Sequence, residues 1–193
     1  MSTPQKILAF AGSAREASFN KKLVQIAVNG ARKAGAEVTY IDLRNFPIPL
    51  FDQDLEAAEG MPPYAQELKS LFLAHQGLLI ASPEYNSTIS PLLKNAIDWV
   101  SRSAPGEPML AAFSGKVVGI MSTSPGALGG LRGLASLREM LGNISMIVLP
   151  DQKAIPQAFE AFTESGTLKD SKQQEAVENI GAKVAKMLAK LNA

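Results

Sequence analysis

The chain has 193 residues, of which 46% are hydrophobic, and this length and composition favour one domain with a substantial core. Its 19 basic and 18 acidic residues give a net charge of +1, which argues against nucleic acid or an anionic membrane surface as a partner. The absence of cysteine excludes disulfides, thiolate metal sites and a cysteine nucleophile, and it is compatible with a reducing compartment.

Apolar runs in the chain are short. None reaches the length needed to cross a membrane, and the first residues lack the basic segment and long apolar core of a signal peptide. We therefore expect a soluble, cytoplasmic protein without a membrane partner. No repeat or shift in composition divides the chain, so we expect residues 1–193 to form a single domain.

The first motif is a strand followed by a small polar loop and a helix. The apolar run Lys6–Ala11 has the length of a strand buried on both faces, as in a parallel sheet. Apolar residues recur at helical spacing from Phe19 onward, and Gly35 is a suitable residue to end that helix. The intervening loop, residues 12–20, would direct backbone N–H groups and the positive end of the helix dipole at one point, which suits a phosphate.

The side chains of this loop suit the same ligand. Ser13 and Ser18 carry hydroxyl donors, and Asn20 carries an amide donor. Arg15 has a planar guanidinium that can bind two phosphate oxygens at once. The alternative is that Ser18 is an ordinary N-cap, Arg15 a solvated loop residue and Gly12 a turn residue. Because neither a P-loop nor a dinucleotide-binding fingerprint is present, the loop alone leaves both interpretations open.

The rest of the chain continues the alternation of strands and helices. Four further strands are predicted at residues 36–43, 77–82, 116–121 and 143–149. Helices are predicted at residues 64–75, at 90–100 with Ser90 as N-cap, from Leu128 to Leu141, and at 171–191. Five strands that alternate with helices predict an α/β fold with a doubly wound parallel sheet.

Two long connections lack a clear helical or strand period. Residues 44–63 are rich in proline and acidic side chains, and residues 150–170 are polar and interrupted by proline. The first of them could cover a sheet edge, contact another subunit or simply pack on its own surface.

In a doubly wound sheet, ligands bind beyond the carboxyl ends of the strands. Three loops of unusual composition leave those ends, namely residues 12–20, 83–90 and 122–129, and they should converge on one site. The middle loop begins with a proline, a carboxylate, an aromatic ring and an amide, whereas the third is small, hydroxylated and glycine-bearing. A phosphate anchor facing two such loops indicates an elongated phosphorylated ligand with a planar polar ring, a shape that flavin mononucleotide (FMN) has.

The same loops carry a family resemblance. The motifs, in chain order, are Gly12-Ser13-x-Arg15-x-x-Ser18-x-Asn20, Pro83-Glu84-Tyr85-Asn86 followed by Leu93-Lys94-Asn95-Ala96-Ile97-Asp98-Trp99, and Ser122-x-Ser124-x-Gly126-x-x-Gly129-Gly130. Together they resemble the NAD(P)H-dependent FMN reductase family, a flavodoxin-like group that includes quinone, azo-dye and chromate reductases. The resemblance covers most of the chain and is weakest after Pro150. Ser87 departs from it, because many members have glycine there.

The resemblance implies a flavodoxin-like five-stranded parallel sheet of order 2-1-3-4-5, with helices on both faces. It implies that the FMN phosphate is held by Ser13, Arg15, Ser18 and Asn20. It further implies that the isoalloxazine ring is lined by Pro83, Glu84, Tyr85, Asn86 and Ser87, and that its other polar edge meets Ser122, Thr123, Ser124 and Gly126. Such enzymes are typically homodimers or homotetramers with the flavin near the subunit boundary.

The implied activity is hydride transfer from NADPH or NADH to bound FMN, followed by reduction of a quinone, azo, nitro, chromate or free-flavin acceptor in a ping-pong cycle. Because the cofactor carries this chemistry, we assign no side chain as an essential acid or base. The alternative is a flavodoxin-type electron carrier that binds FMN without its own NAD(P)H activity. Such carriers are usually strongly acidic, whereas this chain is nearly neutral.

Several other residues have ordinary structural interpretations. We expect the single histidine, His75, to terminate a helix, and we expect Trp99 to pack in the core rather than stack on a flavin. A solvated or hydrogen-bonded carboxylate is expected at Glu84. The acidic residues between 52 and 56 lack a metal-site pattern with histidine, so we expect no metal centre.

Overall fold

The computed structural model describes residues 4–191 and contains a five-stranded parallel β-sheet. Its strands are β1 (Lys6–Ala11), β2 (Glu37–Tyr40), β3 (Gly77–Ala81), β4 (Val117–Thr123) and β5 (Ile147–Ile155). They lie in the order β2-β1-β3-β4-β5, and each neighbouring pair is parallel. The α/β class and the 2-1-3-4-5 order expected from the sequence are therefore confirmed.

Helices cover both faces of this sheet. They are α1 (Phe19–Lys33), α2 (Gln53–Glu59), α3 (Pro63–Ala74), α4 (Pro91–Val100), α5 (Leu131–Asn143), α6 (Ala158–Ala161) and α7 (Ser171–Leu191), and a 3₁₀ turn spans Leu43–Asn45. One face packs against α1 and α7, and the other packs against α3, α4 and α5. Within β1, Ile7 and Ala9 belong to the first core and Leu8 and Phe10 to the second, the alternation that strand geometry requires.

The helices α1 and α7 cross with their backbones almost in contact. A Cβ atom added at Gly30 would lie 1.9 Å from the Glu178 carbonyl oxygen, and one added at Gly181 would lie 1.8 Å from the Ala27 carbonyl oxygen. Since no side chain fits at either position, these two glycines set the distance between the helices. Because α1 follows β1 in the chain, its N-terminus lies at the carboxyl edge of the sheet.

Several predicted boundaries were wrong. Residues 44–63 contain the 3₁₀ turn and α2 rather than a continuous loop. The last strand was placed too early, since residue 143 ends α5 and β5 runs on through Pro150 to Ile155. A strand can include proline at the edge of a sheet, where one side of the backbone needs no ladder bond, and β5 is an edge strand. The predicted third-loop residues Ser122 and Thr123 are the last residues of β4.

Candidate functional site

The three predicted loops meet in one cleft at the carboxyl edge of the sheet, beside the point where the strand order reverses between β1 and β3. The cleft is lined by Ser13, Arg15, Ser18, Phe19, Asn20, Pro83, Glu84, Tyr85, Thr123, Ser124, Pro125 and Ala158. Four predicted site residues do not line it, namely Asn86, Ser87, Ser122 and Gly126. Each of these four instead shapes the backbone of a lining loop.

The loop after β1 is held close to the sheet. The Gly12 amide donates to the Ala81 carbonyl at 2.8 Å, and the Gly12 carbonyl accepts from the Ser90 hydroxyl at 2.6 Å. A Cβ atom at Gly12 would lie 2.9 Å from Cβ of Leu93, so only glycine fits there without movement of α4. Ser90 also caps α4, because its hydroxyl accepts from the Leu93 amide. The predicted N-cap at Ser90 is thereby confirmed.

The donors of this loop face the cleft. Ser18 has the extended conformation of an N-cap, but its side chain makes no capping hydrogen bond, contrary to the simplest structural interpretation of that residue. The backbone N–H groups of the first turn of α1 are therefore not capped by it. Within residues 4–191, the exposed Arg15 guanidinium has no ion pair or hydrogen bond, while the Arg15 amide donates to the Ser13 hydroxyl at 3.3 Å. Free donors of this kind at a helix N-terminus suit a phosphate.

Asn20 joins the first loop to the third. Its amide Nδ2 donates to the Thr123 carbonyl at 2.9 Å, and its Oδ1 accepts from the Thr123 amide at 3.1 Å. The Thr123 hydroxyl donates to the Ile155 carbonyl at 2.9 Å, which ties the end of β4 to β5. Both Asn20 and Thr123 are buried.

The middle loop is a tight two-residue hairpin. The Tyr85 amide donates to the Thr88 carbonyl at 2.9 Å, and the Thr88 amide donates to the Tyr85 carbonyl at 3.1 Å. Asn86 and Ser87 have φ angles of 50° and 68°, so both central residues are in the positive region that a type I′ turn requires. This turn leaves the Tyr85 ring about half exposed at the cleft. It also explains why glycine would suit position 87.

Glu84 anchors the base of that hairpin. Its Oε2 accepts from the Gly133 amide at 3.0 Å, and its Oε1 accepts from Nε and Nη2 of Arg132 at 3.0 and 2.8 Å. Burial alone would raise the pKa of Glu84, but the bonds from Gly133 and Arg132 outweigh it and hold the pKa below its ordinary value. The expected hydrogen-bonded carboxylate is present. Arg132 and Gly133 were not predicted to matter, because their partner lies 48 and 49 positions away.

The third loop is shaped by small residues. The buried Ser122 hydroxyl donates to the Ser82 carbonyl at 2.6 Å, and the Gly126 carbonyl accepts from the Gly129 and Gln157 amides. A Cβ atom at Gly130, whose φ is 90°, would lie 1.9 Å from the Ser122 hydroxyl oxygen. Ser124 and Pro125 at the tip of this loop therefore stand at the wall of the cleft.

Sequence reasoning missed three lining residues. Phe19 was identified only as a helical apolar residue, yet it lines the cleft and packs against Phe159 and Phe162 with ring centroids 5.4 Å away in each case. Pro125 lay inside a predicted loop but was not selected. Ala158 comes from the segment predicted to be irregular, and its sequence carries no signal for this position.

The residues given structural interpretations have structural partners. His75 follows α3, where Nδ1 lies 2.6 Å from the Leu71 carbonyl and Nε2 lies 2.8 Å from the Thr39 hydroxyl. Buried Trp99 donates from Nε1 to the Pro49 carbonyl at 2.8 Å. In the part of the chain that the structure describes, no group of three or more His, Asp and Glu side chains could hold a metal ion. No helix between residues 4 and 191 has the length and apolarity to cross a membrane.

The strand order, together with a cleft where that order reverses, defines a flavodoxin-like α/β protein. A solved flavoenzyme with this fold, the NAD(P)H:(acceptor) oxidoreductase FerB of Paracoccus denitrificans, superposes with a TM-score of 0.80 at 24% identity, over 96% of this chain and 98% of that one. An azoreductase of Bacillus anthracis superposes with a TM-score of 0.61 at 18% identity, over 94% and 98%. At these identities the likeness concerns the fold.

Sequence comparison identifies the family. The model of the NADPH-dependent FMN reductase family matches residues 5–160, and the chain belongs to that family. An NAD(P)H-dependent FMN reductase of Pseudomonas aeruginosa is 35% identical over 92% of both chains. A quinone reductase of Escherichia coli is 34% identical over 87% of this chain and 90% of its own. The resemblance read from the motifs is confirmed, and with it an oxidoreductase that uses FMN and a reduced pyridine nucleotide.

Proposed function

We propose that FMN binds in this cleft and that the protein reduces a small-molecule electron acceptor, a quinone, azo, nitro, chromate or free-flavin compound, at the expense of NADPH or NADH. The observation that carries the proposal is the unpaired donor set at the N-terminus of α1, in a chain whose family uses FMN. When bound, FMN supplies the chemistry, because it accepts a hydride from the nicotinamide and passes the electrons on. The protein contributes position and electrostatics.

The donors at one end of the cleft together suit a phosphate group. Ser13 and Ser18 offer hydroxyl donors, Arg15 offers a guanidinium without a carboxylate partner among residues 4–191, and the first turn of α1 offers backbone N–H groups. A dianion at this point satisfies these donors and complements the helix dipole. We assign the phosphate to this group.

The other two loops would hold the ring. Pro83, Glu84 and Tyr85 line one side of the cleft, and Thr123 and Ser124 line another. The hairpin through Asn86 and Ser87 fixes the first group, and the contacts of Ser122 and Gly126 fix the second. Donors of these loops that face the polar edge of the ring would stabilise the negative charge that reduction places there. No side chain has to act as an acid or a base.

We further propose that the protein acts in the cytoplasm as a homodimer or homotetramer. Apolar side chains are exposed near the cleft, Tyr85 in the hairpin, Leu128 before α5 and Leu131 at its start. An exposed apolar group of this kind at the mouth of a site suits contact with a second subunit or with an apolar acceptor. Light scattering on the purified protein measures the assembly directly.

The first experiment is an absorbance spectrum of the purified protein, reconstituted with FMN where it is colourless, followed by anaerobic addition of NADPH and, separately, NADH. Rapid bleaching of the bound flavin supports the reductase and gives the nucleotide preference. Tight FMN binding without bleaching by either nucleotide would favour the electron carrier. No FMN binding would overturn the assignment of the cleft.

A further inference from the structure

The side-chain amide of Asn20 occupies a position that belongs to the backbone of a strand. The Ser82 amide donates to the Met121 carbonyl at 2.9 Å, which is the last backbone bond between the β3 segment and β4. In a parallel ladder, the next groups of β4 to bond on this side are the N–H and C=O of Thr123. Those are the two groups that Asn20 binds, at 3.1 and 2.9 Å.

The third strand cannot satisfy Thr123 itself. It ends at Ala81, and Pro83 and the hairpin that follows turn the chain away from β4. The Ser82 carbonyl, which would accept from the Thr123 amide in a continued ladder, instead accepts from the Ser122 hydroxyl at 2.6 Å. A carboxamide has the donor and the acceptor of a peptide group, so Asn20 continues the ladder in place of the missing strand residue.

The bond pair links the two ends of the cleft. Asn20 lies in the first turn of α1, two residues after Ser18, and Thr123 directly precedes Ser124 in the third loop. Asn20 is 5% exposed and Thr123 is 2% exposed, so water does not readily replace either bond. The phosphate end and the ring end of the cleft therefore share one rigid connection.

We infer that Asn20 is a positioning residue that sets the third loop for the flavin ring, rather than a residue whose main role is to bind the phosphate. The inference rests on the proposed function and assigns Asn20 a role in holding the ring. It separates Asn20 from Arg15, although both belong to one motif. Loss of a residue that only binds the phosphate would weaken the binding of flavins that carry a phosphate. Loss of a positioning residue would weaken the binding of every flavin.

The test compares FMN with riboflavin, which has the same ring and no phosphate. Dissociation constants of both are measured by flavin fluorescence quenching for the FMN-free full-length chain and for Asn20→Ala. We expect both affinities to fall about tenfold or more, with the ratio of the two dissociation constants changed by less than about threefold. A loss of FMN affinity with riboflavin binding unchanged would overturn the inference.

Two variants control for other effects. Arg15→Ala should lower FMN affinity and leave riboflavin affinity unchanged. This result would show that the assay detects the loss of a residue that binds the phosphate. Asn20→Leu fills the volume of the amide without its hydrogen bonds and should behave as Asn20→Ala does. Recovery of wild-type riboflavin affinity in Asn20→Leu would show that volume alone matters, and would overturn the inference.

A second measurement needs no variant. Hydrogen exchange of the Thr123 amide is followed by NMR in the FMN-free wild-type chain, with and without inorganic phosphate. We expect phosphate to slow this exchange several-fold, because the anion orders the first turn of α1 and thereby Asn20. An unchanged exchange rate of the Thr123 amide at saturating phosphate would overturn the inferred connection through Asn20. A wild-type chain that binds neither flavin would instead refute the proposed function, so the two failures are distinguishable.

Discussion

The carboxylate of Glu84 accepts a hydrogen bond from the backbone N–H of Gly133, 3.0 Å away, and so joins the hairpin after β3 to the first turn of α5. A carboxylate at a helix N-terminus is favoured by the helix dipole. Arg132 lies at the same helix start, where its positive charge is unfavourable beside the positive end of the helix dipole. Its ion pair with the Glu84 carboxylate offsets that unfavourable charge. The contact makes the hairpin part of the framework rather than a free loop.

The pH dependence of stability should reveal this contact. The pKa of Glu84 is lowered from its ordinary value of 4.5, so its stabilisation is present above that value and is lost as the pH falls through the folded-state pKa. We expect Glu84→Gln to lower the free energy of unfolding by about 1 kcal/mol near neutral pH, and by progressively less as the pH falls below 4.5. Urea unfolding across this range measures both. The control is Glu164→Gln, at an exposed site. A loss of unfolding free energy in Glu84→Gln that is equal at every pH would contradict the prediction.

The type I′ turn predicts a stabilising substitution. Ser87 holds a φ angle of 68°, which costs an L residue free energy that glycine does not pay. We expect Ser87→Gly to raise the free energy of unfolding by about 0.5–1 kcal/mol, after the larger unfolded-state entropy of glycine is included. Ser87→Ala keeps the Cβ atom and should give no gain. A gain of the same size for alanine would show that the hydroxyl, and not the backbone angle, is responsible.

Removal of the Arg15 guanidinium should weaken FMN binding. We expect Arg15→Ala to cost about 1.5–3 kcal/mol, because a charge-assisted bond to the phosphate is lost. Equilibrium dialysis or fluorescence quenching measures this change. Arg44→Ala is the matched control, since Arg44 is exposed, lies outside the cleft lining and lies 3.7 Å from the Glu16 carboxylate. Equal FMN affinity in Arg15→Ala and the wild type would remove Arg15 from the site.

Tyr85 should matter for turnover more than for folding. Its side chain is 47% exposed and lines the cleft, so Tyr85→Ala should change the free energy of unfolding by less than about 1 kcal/mol. The KM for the nucleotide or the acceptor should change several-fold. Tyr64 is 46% exposed and does not line the cleft, so Tyr64→Ala should leave these kinetics unchanged. A sharp fall in unfolding temperature with unaltered kinetics would instead make Tyr85 a packing residue.

The surroundings of two helical glycines predict opposite effects of the same substitution on stability. Gly181→Ala should lower the free energy of unfolding by about 2–3 kcal/mol, because the new Cβ atom collides with the Ala27 carbonyl. At Gly142, near the end of α5, nothing lies within 4 Å of an added Cβ atom, so Gly142→Ala should stabilise by about 0.5–1 kcal/mol. Thermal unfolding of both variants measures the pair. Similar changes in the two would contradict the close approach of the helices.

Local signals in the sequence determined most of the secondary structure. The apolar run gave β1 its observed bounds, Lys6–Ala11, and the helical period gave α7 its observed bounds, Ser171–Leu191. The Ser90-Pro91 pair placed the start of α4. These signals were sufficient because burial on both faces, a helical stripe and an N-cap each depend on residues that are close together in the chain.

The sequence also determined which loops form the cleft, because parallel strands bring their carboxyl ends to one edge. It could not show that β5 continues through Pro150, because only the sheet makes that strand an edge strand. Nor could it show that Ala158 joins the cleft.

Only the tertiary structure decided how the candidate site residues are used. Asn20 and Thr123 are 103 positions apart, and Glu84 and Gly133 are 49 positions apart, yet each pair is joined by hydrogen bonds. A motif shows which donors and acceptors are present, but not whether another part of the chain has already engaged them. That depends on where β3 stops and where α5 begins, and packing of the whole sheet fixes both.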